Sequence, residues 1–217
     1  MATLLNRRRY MGGGGTVDEI IMTSSTNPEV LAICYAQGWA SHADYMTKRE
    51  AEAVTSFGRV FEDSQIITFD ELIYFTNITN LNVLAFHNST VTWLRFPYVT
   101  SCSSNSGANS CVFYNCASLN AVMFDKITFL GGSYNYGAKS GMYTVILSDS
   151  VPSTNGRWFY GKFYVLDSLV DSYKATTGWT QYGEGASRIL PISQLPTDHP
   201  DCPWLNDLRE KGFIPTT

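Results

Sequence analysis

Residues 91–100 read VTWLRFPYVT and residues 119–128 read LNAVMFDKIT. Both stretches space their apolar residues as in L-x-x-L-x-L, and both end in an aliphatic residue followed by threonine. Residues 142–147, MYTVIL, contain the same apolar triplet. One triplet arises easily by chance, but three with partly matching flanks indicate an internal repeat. We predict that its core is formed by Val91, Leu94, Phe96, Leu119, Val122, Phe124, Met142, Val145 and Leu147.

The repeat length predicts the architecture. The first residues of the triplets are 28 and 23 positions apart, within the roughly 20 to 29 residues that are typical of leucine-rich repeats. Each repeat would add one short strand to a parallel stack, and the turn between strands would pack inward. We therefore predict the α+β class, with a short leucine-rich-repeat solenoid of parallel strands over residues 64–166.

A helical hairpin is predicted before the repeats, over residues 27–63. Asn27 is a candidate N-cap and Pro28 suits the first turn of a helix. Thr47 and Glu50 have the spacing of a capping box, which predicts that a second helix begins there.

The loop between these helices resembles a calcium-binding EF-hand loop that has lost its ligands. Calcium requires several carboxylate or carbonyl oxygens in such a loop, and a glycine at its sixth position. Asp44 replaces that glycine, and Glu50 is the one conventional ligand left. The side chains at the six ligand positions are Trp39, Ser41, Ala43, Tyr45, Thr47 and Glu50. We therefore predict no metal and no cofactor.

The C-terminal region, residues 167–217, is predicted to cap the repeats. Residues 158–165 are rich in aromatic side chains and read as a last strand region, and residues 167–175, DSLVDSYKA, read as a short helix. A terminal repeat needs an atypical element to cover its open core. Four prolines between positions 191 and 203 then predict an irregular tail.

The first 26 residues are interpreted as an attachment peptide with a hinge. Residues 12–15 are four glycines, which cannot pack and leave the backbone free. Two alternatives are open for the residues before them, docking to a partner protein and plain terminal disorder. The arginines could bind acidic groups or phosphates, or form a solvated tail. The candidate anchoring residues are Leu4, Leu5, Arg7, Arg8, Arg9 and Tyr10.

Composition argues against several classes of partner. The formal net charge is −4 even with three consecutive arginines near the start, so we expect no nucleic-acid binding by the rest of the chain. No apolar run approaches the roughly 20 residues that span a bilayer, and no signal peptide is recognisable. We therefore expect synthesis in a cytoplasm, no membrane partner, and exposure only after release.

No catalytic constellation is recognisable, and we predict that the protein is not an enzyme. The three histidines stand alone in the sequence, and the adjacent Asp70 and Glu71 would diverge by about 100 degrees on a helix. They are better explained as charges at the start of a helix. The five cysteines lack a CxxC pair. Two states are open for Cys102 and Cys111, free thiols and a disulfide formed after release from the cell.

Binding is better supported than catalysis by the many aromatic rings, since rings stack on sugars and anchor protein contacts. We select Tyr114, Tyr134 and Tyr136 as a possible binding surface. The small-residue loop SCSSNSGANSC, residues 101–111, would lie on the rim of the repeats.

Three stretches resemble a known family. Residues 67–79 (ITFDELIYFTNIT), 113–124 (FYNCASLNAVMF) and 164–196 (YVLDSLVDSYKATTGWTQYGEGASRILPISQLP) are similar to BspA-type leucine-rich-repeat proteins of Bacteroidales bacteria and their phages. The resemblance covers roughly residues 27–196, and the last stretch is its most specific part. In that family a degenerate EF-hand-like hairpin often precedes the repeats.

The opening MATLLNRRRYMGGGG is similar to the starts of structural proteins from crAss-like phages. The resemblance implies a virion protein, a head or tail fibre or adaptor subunit, docked to other virion proteins by its N-terminus. It also implies a homo-oligomer that exposes the repeats to a host glycan or protein. The alternatives are a receptor-binding module for host glycans and a bacterial surface adhesin, which the missing export signal disfavours.

Overall fold

The computed structural model describes residues 18–103, 111–131, 138, 141–155, 161–180, 185–197 and 202–215. Within these residues the chain has a mixed α+β fold that contains two parallel sheets and one antiparallel ribbon. The prediction of the α+β class with parallel strands is confirmed.

The N-terminal part contains the two predicted helices and a ribbon that the sequence did not predict. Strand β1 (Ile20–Thr23) pairs antiparallel with β2 (Tyr45–Thr47), and β2 lies between α1 (Pro28–Ala36) and α2 (Lys48–Ala53). The attachment peptide therefore does not extend to residue 26, because β1 belongs to the folded part. The two strands are too far apart in sequence for a turn motif to reveal their pairing. Residues 1–17 lie outside the described residues.

Both helices begin where the sequence predicts, but only one prediction of a cap is right. Thr47 and Glu50 form the capping box of α2. Asn27 precedes α1 without capping it. Its Nδ2 atom donates instead to the carbonyl of Thr68 at 3.1 Å and to Oε2 of Glu71 at 2.9 Å. This side chain therefore connects the start of α1 to residues 68–71.

The large sheet is parallel, with strand order β10-β9-β8-β6-β4. Leu94 lies opposite Val122 and Phe96 opposite Phe124, which confirms the predicted offset of 28 between the first two triplets. The strands are β4 (Trp93–Phe96), β6 (Ala121–Phe124), β8 (Tyr143–Ile146), β9 (Lys162–Val165) and β10 (Ile189–Pro191).

The predicted alignment of the third triplet with the second is wrong by one residue. Val122 lies opposite Thr144, and Phe124 lies opposite Ile146, which makes the offset 22 rather than 23. Val145 and Leu147 consequently belong to the outer face of the sheet, and Ile146 packs in the main core. Every residue of β6 and β8 is buried, so the alternation of polar and apolar residues that would fix the register is missing.

A second, smaller parallel sheet has the order β3-β5-β7, with β3 (Asn80–Leu81), β5 (Ser101–Cys102) and β7 (Phe129–Leu130). Thr100 donates from both its N–H and its hydroxyl to the carbonyl of Thr79, and Thr128 does the same to Thr100. Ser153 continues the ladder onto Thr128. The threonines that the sequence aligned are therefore equivalent positions.

Ring stacking and parallel pairing extend past residues 64 and 166, the limits predicted for the repeats. Phe61, Phe86 and Phe113 form a ladder of stacked rings with centroid distances of 5.3 and 5.8 Å, and a parallel bridge joins Thr68 to Trp93. At the other end, β10 adds a strand beyond residue 166. The sequence signal for the early unit is FEDS at 61–64, which matches FHNS at 86–89 and FYNC at 113–116.

The helix predicted over residues 167–175 is present. A 3-10 turn (Asp167–Leu169) leads into α3 (Val170–Ala175), which α4 (Thr177–Thr180) follows. Tyr173 and Trp179 are buried, and their ring centroids are 4.8 Å apart. Trp179 also packs on Phe163 at 5.2 Å, so these helices contact the large sheet through this tryptophan. The predicted irregular tail contains a further helix, α5 (Leu205–Glu210).

Candidate binding surface

The aligned turns before the strands present a row of polar side chains at one edge of the molecule. Asp63, Asn88 and Asn115 each adopt a left-handed backbone conformation, with φ of 55, 55 and 56°. Asn115 Nδ2 donates to Asn88 Oδ1, and Asn88 Nδ2 donates to Asp63 Oδ1, both at 2.7 Å. Asn and Asp tolerate this conformation better than other side chains. The row therefore fixes three successive turns while leaving amide edges at the surface.

The residues just before these three form a second row. The imidazole of His87 stacks on the ring of Tyr114, with centroids 5.2 Å apart, and its Nδ1 lies 3.1 Å from Glu62 Oε1. Hydrogen bonds from the Arg59 guanidinium hold the pKa of Glu62 below its ordinary value. We call the residues Glu62, Asp63, His87, Asn88, Tyr114 and Asn115 the turn edge.

One of the predicted binding residues lies in the turn edge, and the others lie outside the described residues. Tyr114 is half-buried in the turn edge. Tyr134 and Tyr136 lie outside the described residues, as do most of the small-residue loop and all of the candidate anchoring residues, namely Leu4, Leu5, Arg7, Arg8, Arg9 and Tyr10. The sequence did not single out His87 or Asn88 for binding, although the F-x-D/N-S/C motif would have located both.

The outer face of the large sheet is covered. Trp93, Tyr143 and Tyr164 on this face are at most 5 % exposed. They pack in a hydrophobic cluster separate from the main core, against Trp204 and its neighbours in the C-terminal segment. Arg95 on the same face binds Asp125 and Asp207, both at 2.7 Å. These rings are therefore closed to a ligand while the C-terminal segment is in place.

The loop between α1 and α2 is closed by Glu50. One carboxylate oxygen accepts the N–H and the hydroxyl of Ser41, and the other accepts the N–H and the hydroxyl of Thr47. Burial opposes ionisation of Glu50, but these hydrogen bonds outweigh it and lower its pKa. The carboxylate that would bind calcium in an EF-hand here holds the loop by itself.

The adjacent acidic pair noted in the sequence lies at the start of a helix, and the five cysteines are buried. Asp70 and Glu71 open a 3-10 helix (Asp70–Tyr74), as predicted for charges at a helix start, and burial raises the pKa of both carboxyls. Burial also raises the pKa of the Cys34 and Cys116 thiols to about 12. Cys102 and Cys111 are buried free thiols in this structure. Among the described residues, no group of three or more His, Cys, Asp or Glu side chains could hold a metal ion.

No protein-family model matches the chain, and comparisons with curated proteins and with solved structures find no significant match. None of the helices within the described residues is long and apolar enough to cross a membrane.

Proposed function

We propose that this protein is a non-catalytic leucine-rich-repeat subunit of a bacteriophage particle, of the BspA type, that presents the turn edge to a partner. The observation that carries the repeat assignment is the equivalence of positions in successive turns. Phe61, Phe86 and Phe113 stack inside, and Asp63, Asn88 and Asn115 bond outside. Stacking of units with equivalent positions is the general plan of solenoid repeats.

The proposed location in a virion is supported by the leader sequence. Its apolar and arginine residues precede four glycines, which would let a docked peptide and the folded part move independently. Deleting residues 1–11 should abolish incorporation into particles and leave the circular dichroism of the purified chain unchanged. Replacing Leu4 and Leu5 by serine tests apolar docking, and replacing the three arginines by glutamine tests charge. Incorporation of the deleted protein at full copy number would refute anchoring by the leader.

A second candidate function is recognition of a host glycan at the turn edge. It is favoured by the Tyr114 ring beside the exposed Asn115, because sugars bind by stacking on rings and by hydrogen bonding to amides. A glycan array probed with the full chain should give a signal that Tyr114→Ala removes. Tyr98→Ala is the matched control, since this half-buried ring lies under Lys126 outside the turn edge. The absence of any host-glycan signal would refute glycan recognition and leave the structural role as the remaining proposal.

A further inference from the structure

The C-terminal segment, residues 202–215, docks on the outer sheet face through side chains. Trp204 meets Trp93 edge-on at 5.7 Å, and Asp207 Oδ2 accepts from Arg95 Nη1 at 2.7 Å. The backbone hydrogen bonds described for this segment join its own residues, as from Leu208 N–H to the Trp204 carbonyl and from Phe213 N–H to the Leu208 carbonyl. The segment therefore forms its own turn of helix without a strand partner in the sheet.

The apolar side chains of this segment belong to the outer-face cluster and not to the main core. Its members from the segment are Cys202, Trp204, Leu205, Leu208 and Ile214, with Phe213 packed against them. The main core runs from the N-terminal ribbon to β10. Removing the segment would expose Trp93 and the apolar face beside it without opening the main core.

We propose that segment 202–215 is exchangeable between two copies of this chain, each copy laying its segment on the outer sheet face of the other. The segment of a second copy would present to the outer sheet face the same side chains that the chain's own segment presents, including Asp207 for Arg95. Pro196 precedes the connection to the segment and Pro203 lies at the start of the segment, and a proline has no N–H with which to fasten the backbone to the sheet. Reciprocal exchange gives a closed, symmetric pair. The inference does not depend on the proposed location in a virion.

Reversal of one ion pair tests the exchange in full-length protein. Arg95→Asp alone places three carboxylates together, and Asp207→Arg alone brings a second guanidinium beside Arg95 and Lys211, so neither chain can close well on itself. In a mixed pair, the sheet face of the R95D chain would receive the segment of the D207R chain. The sheet face of the D207R chain, which keeps Arg95, would receive the segment of the R95D chain, which keeps Asp207. The double variant R95D/D207R is the control, because it restores an opposite-charge pair within one chain.

The two single variants are refolded together from denaturant and examined by light scattering and native mass spectrometry. We expect a species of twice the chain mass that contains one copy of each variant, with a higher Tm than either variant alone. The double variant should fold with a Tm close to that of the native chain. If the double variant folds and the mixture yields only single chains, aggregates or unfolded protein, the exchange proposal is wrong.

Discussion

Arg95 in β4 and Asp207 in α5 are joined by a 2.7 Å hydrogen bond across 112 positions of sequence. The same guanidinium also binds Asp125, just after β6, and Lys211 binds Asp207 from within the C-terminal segment. Four charged side chains thus alternate in sign at the edge of an apolar contact. This arrangement gives the segment a fixed position on the sheet and makes its attachment sensitive to charge.

We expect acid to loosen α5 from the sheet. Partial burial opposes ionisation of Asp207, but the Lys211 hydrogen bond and the Arg95 charge outweigh it and lower the pKa of Asp207. A carboxyl with a lower pKa in the folded state stabilises the fold above its unfolded pKa, and this contribution is lost as pH falls through the folded value. Near-ultraviolet circular dichroism should therefore change below about pH 4.

Asp207→Asn should remove this acid step and cost about 1 kcal/mol at neutral pH, as expected for a partly exposed ion pair. Asp171→Asn, at an exposed position of α3, is the matched control and should keep the step. Identical acid profiles for the native chain and Asp207→Asn would contradict this account.

Gly161→Ala should destabilise the fold more than Gly141→Ala. Both glycines have positive φ, 77° and 84°. A Cβ at residue 161 would lie 2.0 Å from the carbonyl oxygen of Met142, whereas nothing lies within 4 Å at residue 141. We expect about 1–2 kcal/mol for Gly141→Ala from the backbone conformation alone, and about 1–3 kcal/mol more for Gly161→Ala from the clash. Urea unfolding measures both, and equal losses would show that the clash is relieved.

Asn88 is expected to stabilise the turn edge in two separable ways. Asn88→Gly removes the hydrogen bonds to Asp63 and Asn115 but keeps a residue that accepts positive φ, and we expect a loss of about 1 kcal/mol. Asn88→Ala removes the same bonds and adds backbone strain of about 1–2 kcal/mol. The free energies of unfolding of the two variants should differ by that strain, and alanine as stable as glycine would disprove it.

Glu50→Gln should destabilise the loop between α1 and α2 by about 1–3 kcal/mol, because an amide has one acceptor oxygen and the carboxylate binds donors at both. Glu52→Gln is the matched control on the same helix, since the Glu52 side chain is in an exposed ion pair with Lys48. Thermal unfolding with and without calcium should give the same Tm for the native chain. A rise in Tm with calcium would overturn the prediction that the loop binds no metal.

The helix starts and strands β4 and β6 could be predicted from local sequence. A capping box at Thr47 and a proline at position 28 act within one turn of helix, so no distant residue is needed to recognise them. The spacing of Leu94 and Phe96 matches that of Val122 and Phe124 because both strands present the same face to the main core. The candidate site was located only in part, through Tyr114.

The third repeat could not be placed correctly because β8 is buried on both faces. With Val145, Ile146 and Leu147 all apolar, the sequence offers two registers, and pairing with β6 decides between them. Asn27 fits an N-cap equally well by sequence, yet its amide binds Thr68 and Glu71, which come within reach only when the chain has folded.

The sequence by itself determined the recurring apolar triplets, their approximate spacing and the elements that begin with local capping signals, because each depends on residues close together in the chain. Tertiary structure decided that the outer face of the large sheet is covered. Arg95 and Asp207 have no local relationship, and the contact of Trp93 with Trp204 depends on a segment that follows the last strand. The prolines between positions 191 and 203 predict an irregular backbone but not where it lies. The outer face is closed because burying its apolar rings under the C-terminal segment is favourable.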